Sequence, residues 1–214
     1  MSEKKNLGLR RIFMRTFAYD NIVLTQALGL CPIIAAGVSL QRGLALTACT
    51  AVVMIPSSLL MATFGKRLPA VVRAPLYALL AMALMVGCGF LLTTYVSPEL
   101  YASLYLFLPL MSVNTLFTYH AGGFSVGRTP LQALFDALGT SCGFGLVICL
   151  VSALRELAIS GTVFGYPLPF EARFPEAAYP FAAFILLGFM AAFLQHIRNR
   201  RLHKDNGKEE LLHE

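Results

Sequence analysis

Charge is scarce in this chain. Only 13% of its 214 residues are Asp, Glu, Lys or Arg, about half the share of an ordinary soluble domain. With 57% hydrophobic residues and a mean hydropathy of +0.69, that scarcity excludes a soluble globular reading and points to an integral membrane protein. No low-complexity tract interrupts the chain. Lys4, Lys5, Arg10, Arg11 and Arg15 come early, with no compact apolar run and small-residue cleavage site among them, so a cleavable signal peptide is not expected. No glycine-rich loop opens a strand–helix unit, and no Ser/His/Asp set has usable spacing, so direct NADH binding is not expected. The net charge of +6 sits in basic residues that flank apolar runs, which suits membrane topology rather than nucleic acid.

Five cysteines are present: Cys31, Cys49, Cys88, Cys142 and Cys149. All lie in apolar segments, and their number is odd, which argues against a disulfide framework. A buried cysteine is by default a small hydrophobe.

Six apolar stretches are long enough to span, at about 21–40, 43–64, 74–96, 100–121, 131–154 and 177–196. The predicted organisation is an N-terminal segment over 1–20, a six-helix membrane domain over 21–196 and a basic tail over 197–214. Six spans place both termini on one side. That side receives Lys4, Lys5, Arg10, Arg11, Arg15, Lys66, Arg67, Arg73, Arg128, Arg198, Arg200, Arg201, Lys204 and Lys208. The other receives only Arg42, Arg155 and Arg173, so the termini are expected in the cytoplasm. The tail after Gln195 is expected to meet anionic lipid or a partner subunit. The loop "GTVFGYPLPFEARFPEAAYP" suits the outer interface, with Tyr166, Phe170 and Tyr179 at headgroup level.

Two spans read as broken. In "LGLCP", Gly29 and Pro32 flank Cys31, which falls about 15 Å into its span. Non-helical backbone at that depth is tolerated only where protein or a cavity surrounds it. The fourth span, "LPLMSVNTLFTYHAGG", crowds Pro109, Ser112, Asn114, Thr115, Thr118, His120 and two glycines into one apolar run. Interrupted helices at corresponding positions of two three-span halves are the mark of an inverted repeat with a site at the midplane. The plain alternative is a proline kink in each of two packed helices. The expected fold class is therefore an all-α integral membrane protein, with six transmembrane helices in a 3+3 inverted repeat.

"LTQALGLCPIIAAG" (24–37) resembles the first-span signature of the RnfE/NqrD family, membrane subunits of Rnf and Na+-pumping NADH:quinone oxidoreductase complexes. The resemblance continues through "RLPAVVRAPLYALLAMAL" (67–84), "LPLMSVN" (108–114), "FDALGTSCGFGLVICLVSALRELAISGTVFG" (135–165) and "FILLGFMAAFLQ" (184–195). It covers roughly residues 16 to 197, and the Leu-Cys-Pro form leans toward the Rnf side. The resemblance implies a bacterial inner-membrane location and an Rnf-type complex as setting. It implies a partner of opposite orientation, the RnfA/NqrE-like subunit, alongside other complex subunits. It implies that each of the two subunits gives one cysteine from its first and one from its fourth span to a shared 2Fe–2S cluster, an electron relay linked to Na+ or H+ movement. Cys31 matches the first of these ligands. Such a chain would be a subunit of a redox-driven translocase without a catalytic head of its own.

The chain departs from the family at the second ligand, because Thr115 stands in the cysteine position next to Asn114. Three readings stay open. The cluster keeps three thiolates with an oxygen, or takes His120 as imidazole ligand in the manner of Rieske centres. Alternatively Cys142 or Cys149, seven residues apart on one helix face, substitutes. Or the cluster is lost and the chain is a cofactor-free carrier or an assembly subunit. As a plain side chain, His120 reads as a solvated anchor near the end of its span. Asp136, near the start of span five, reads as an interfacial carboxylate, with a cation path as the other use of an intramembrane acid. Arg155 and Glu156 read as interfacial anchors pointing to different sides of their helix. Ser160, Gly161 and Thr162 are too short a likeness to a flavin-attachment motif, so no covalent flavin is expected.

Overall fold

The computed structural model describes residues 9–14, 16–17, 22–26, 29–114, 129–167 and 174–210. At its centre lie two long helices, α4 (Leu40–Phe64) and α8 (Pro130–Ser160). The sequence sets both ends of α8. Thr129 and Gln132 form a reciprocal capping box around Pro130, the first helical residue, and Gly161 closes the helix in the left-handed region at φ 64°.

Small residues let α4 and α8 approach. The backbone of Gly43 lies against Ser152, Gly145 against the Thr47 side chain, and Met54 against the Ser141 hydroxyl. Position numbers rise on one helix as they fall on the other, so the pair is antiparallel. The hydroxyls of Thr47, Thr50 and Ser57 donate back to the carbonyls of Gly43, Leu46 and Val53 at 2.7–2.8 Å. Each hydroxyl is thereby satisfied within its own helix, where an unpaired one would be costly.

Two more long helices flank this pair. α5 (Ala70–Tyr95) packs beside α4. There Cys49 and Cys88 are both buried. α9 (Pro180–Glu210) lies along the first-span segment. The basic tail continues this helix, which runs to Glu210 with no proline to stop it.

The first span is broken as expected. α2 (Ile22–Gln26) and α3 (Leu30–Ala36) are separate helices. Gly29 makes the break: its φ of 80° and ψ of 17° are left-handed, a conformation open to glycine at little cost. Pro32 has a different part from the one expected. It is the third residue of α3, in the first turn, where its missing N–H has no intrahelical partner to lose. The fourth segment is interrupted more mildly, across Tyr105 and Leu106, which stay right-handed. α6 (Pro98–Leu104) gives way to α7 (Phe107–Ser112), and Pro109 is again the third residue of a short helix.

An N-terminal helix, α1 (Leu9–Met14), packs on the first half of α8. Beyond α8 comes a two-stranded hairpin, β1 (Thr162–Val163) and β2 (Tyr166–Pro167), turned by Phe164 and Gly165 at positive φ. A 3-10 turn over Pro175–Ala178 leads into α9. Tyr166, Phe174 and Tyr179 are exposed along this connection, as headgroup-level aromatics would be. Phe170 and Arg173 lie outside the described residues.

Candidate functional site at the broken first helix

The length of α8 measures the first-span segment. At one end, the Thr16 hydroxyl donates to the Asp136 carboxylate at 2.9 Å. At the other, Arg155 holds the carbonyls of Ile34 and Gly37. Asp136 and Arg155 are 19 residues apart, or about 28 Å of helix, close to the thickness of a bilayer core. The chain covers that distance between residues 16 and 37. α9 then starts beside Arg155 and returns past Val23, Leu24 and Leu30, with Leu187, Gly188 and Ala191 facing them across a groove of about 240 Å³.

Cys31 is the second residue of α3, directly after the left-handed turn, and its side chain is exposed on the chain's surface. It stands about 9 Å along the helix from Gly37. A thiol so presented can be a ligand in a site completed by another chain. Asn114 ends the described part of the fourth segment, its N–H on the Met111 carbonyl at 3.0 Å. Thr115 and His120 lie outside the described residues. Cys142 faces outward from α8 in the exposed row Leu146, Leu150, Leu154, whereas Cys149 is half-buried toward Thr47 of α4. Among the described residues, no three His, Cys, Asp or Glu side chains gather into a group able to hold a metal ion. Cys31 therefore fits a shared site, and the described residues give no complete one within this chain.

Asp136 is not a solvated carboxylate. It is only 2% exposed, because α1 covers it: the Phe13 carbonyl and Thr16 side chain lie directly over Gly139, one turn along α8. Arg155 and Glu156 are likewise not solvated anchors, being 1% and 7% exposed. Their helix runs on to Ser160. The two side chains do diverge, as expected for neighbours on a helix. Arg155 donates to five backbone carbonyls: Ile34 (2.8 Å), Gly37 (3.0 Å), Ala177 (3.0 Å), Ala178 (2.6 Å) and Tyr179 (3.4 Å). Glu156 accepts from the Leu40 amide at 2.7 Å, the Gly165 amide at 3.0 Å and the Thr162 hydroxyl at 3.4 Å. Burying an unpaired guanidinium costs several kcal/mol, and here the free carbonyls at the end of α3 and in the 3-10 turn offset that cost. The sequence signal was the placement itself: a charged pair ending a long apolar run needs partners.

Comparisons with known proteins agree with this architecture. Residues 9–191 match the family described as "Rnf-Nqr subunit, membrane protein". The chain is 33% identical over 188 residues to a protein of Shewanella loihica named as a subunit of the ion-translocating oxidoreductase complex, covering 81% of each chain. A protein of the same description from Aliivibrio fischeri is 30% identical over 205 residues, with 89% of each chain covered. Another, from Methanosarcina acetivorans, is 31% identical over 151 residues, covering 71% of this chain and 70% of the relative. This chain belongs to the Rnf-Nqr family of membrane-protein subunits, as a multi-pass member of the RnfE/NqrD type.

Proposed function

We propose that this chain is the membrane subunit of a redox-driven ion translocase, serving an electron relay across the bilayer coupled to Na+ or H+ movement. The relatives named as subunits of an ion-translocating oxidoreductase complex support that setting, with other subunits of such a complex as partners. The observation that carries the reading is the exposed thiol of Cys31, set at a helix break on the chain's surface. Cys31 would hold one corner of a 2Fe–2S cluster shared with a homologous inverted subunit. The cluster, when bound, supplies one-electron transfer in a low-dielectric site. Gly29 opens the helix there, Pro32 restarts it, and α9 and α2 wall the break with apolar side chains. Asp136, a buried carboxylate of α8, would serve a cation path.

The six-span inverted repeat belongs to the same reading. Its support is parity. α4 and α8 are antiparallel, so an even number of crossings separates them. α5 would be one, and in this reading the fourth segment is the other. Both halves then open on a broken segment, follow with a central helix (α4, α8) and close with an outer one (α5, α9). The charge asymmetry supports termini on the cytoplasmic side, and the likeness to Rnf subunits supports a bacterial inner membrane as the setting. Cysteines introduced at Lys66 and Ser97 test this. Lys66→Cys should react from the cytoplasmic face and Ser97→Cys from the opposite one, and labelling of both from one face overturns the topology.

The main test is purification of the chain with its inverted partner, followed by iron analysis and low-temperature EPR of the reduced sample. A 2Fe–2S signal that disappears in Cys31→Ser is the expected result. A folded, iron-free complex overturns it and leaves the reading that Thr115 favours, a cofactor-free carrier or assembly subunit. If the cluster is present, Thr115→Cys should lower its potential.

A further inference from the structure

We propose that Arg155 is a positioning residue for Cys31: its guanidinium grips the C-terminal carbonyls of the half-helix that carries the thiol, and so fixes how that thiol is presented. This rests on the reading of Cys31 as a ligand.

α3 is seven residues long, too short to hold its own shape. Its start at Gly29 has no side-chain cap. Its far end is where the restraint lies. Arg155 Nη1 donates to both Ile34 and Gly37, and Gly37 also packs on Ser152, one turn earlier on α8. Ile34 is three residues from Cys31, hence one turn above it on the same side of the helix. The guanidinium cannot swing away, because its other nitrogens are held by Ala177, Ala178 and Tyr179. The next residue completes the corner, since Glu156 receives the Leu40 amide at the start of α4. One helix turn thus holds both sides of the bend between α3 and α4: the guanidinium takes carbonyls before it, and the carboxylate takes an amide after it.

The test compares Arg155→Gln and Arg155→Lys with Glu156→Gln, which loosens the same corner without touching the α3 carbonyls. Two readouts are needed. In membranes containing the full chain with Cys49, Cys88, Cys142 and Cys149 replaced by alanine, the rate of maleimide reaction at Cys31 is measured. Losing a charged hydrogen bond should change that rate by about tenfold in Arg155→Gln. The change should be smaller in Arg155→Lys, and Glu156→Gln should stay near the parent. In the complex with the inverted partner and all native cysteines, the EPR line shape and midpoint potential should shift in Arg155→Gln at unchanged iron content. If Arg155→Gln fails to accumulate, Arg155→Lys carries both readouts, since its ammonium keeps the charge but cannot fork across the same carbonyls. Unchanged labelling and potential in an accumulating Arg155 variant overturn the proposal. Absence of iron from the parent complex overturns the ligand reading instead, while the labelling arm still tests the grip of Arg155 on α3.

Discussion

The central helices α4 and α8 differ from the outer helices α5 and α9 in a way hydropathy does not register. All four are about equally apolar. Yet the central pair is much the more buried within the chain, and α9 the least. Side-chain size separates them. Gly43, Thr47, Gly145 and Ser152 bring the central backbones together, whereas α9 turns Phe184, Phe189 and Phe193 outward. In a bilayer apolar character says that a helix spans, and small residues say what it spans beside.

Substitutions can break or sharpen that contrast. The largest effect is expected at Arg155→Met, which leaves five carbonyls without their donor. A loss of at least about 3 kcal/mol should appear as failure to accumulate or as a sharply lowered thermal midpoint in detergent. Next is Gly145→Val, whose first added carbon would run into Thr47. Overpacking of this kind costs about 1–3 kcal/mol, so the midpoint should fall clearly. Asp136→Asn keeps the shape but removes the charge that strengthens the bond from Thr16, at about 1 kcal/mol, and should loosen α1 in hydrogen-exchange measurements. The smallest effect belongs to Gly188→Ala in α9, where an added carbon meets nothing within 4 Å. Its midpoint should move by no more than about 0.5 kcal/mol allows. Should Gly188→Ala cost as much as Gly145→Val, the division into central and outer helices is wrong.

Much of this architecture was legible in the residue pattern. Gly29 and the prolines marked both interrupted segments, because a missing Cβ and a missing N–H are local facts. Their division of labour was not legible: Gly29 breaks the helix, while Pro32 and Pro109 sit where new helices begin. The capping box at Thr129 and Gln132 was available and marks the start of α8 to the residue. Arg155, Glu156 and Asp136 were read as solvated, and are buried instead, for a common reason. Their partners are backbone groups and a hydroxyl more than a hundred positions away for Ile34, Gly37, Leu40 and Thr16, and a backbone carbonyl has no signature in sequence.

The reach of Arg155 also bears on the order in which the protein is made. Synthesis delivers the N-terminal part first. When α3 enters the membrane, the group that will hold its Ile34 carbonyl is still 121 residues from being translated. The first segment therefore waits, incomplete, through the insertion of α4 and α5. Its final form is set only when α8 arrives, and the same arrival covers Asp136 with the waiting Thr16. Residues 29–37 thus come early in synthesis and late in folding, and truncated chains that stop before Arg155 should hold a Cys31 not yet in place.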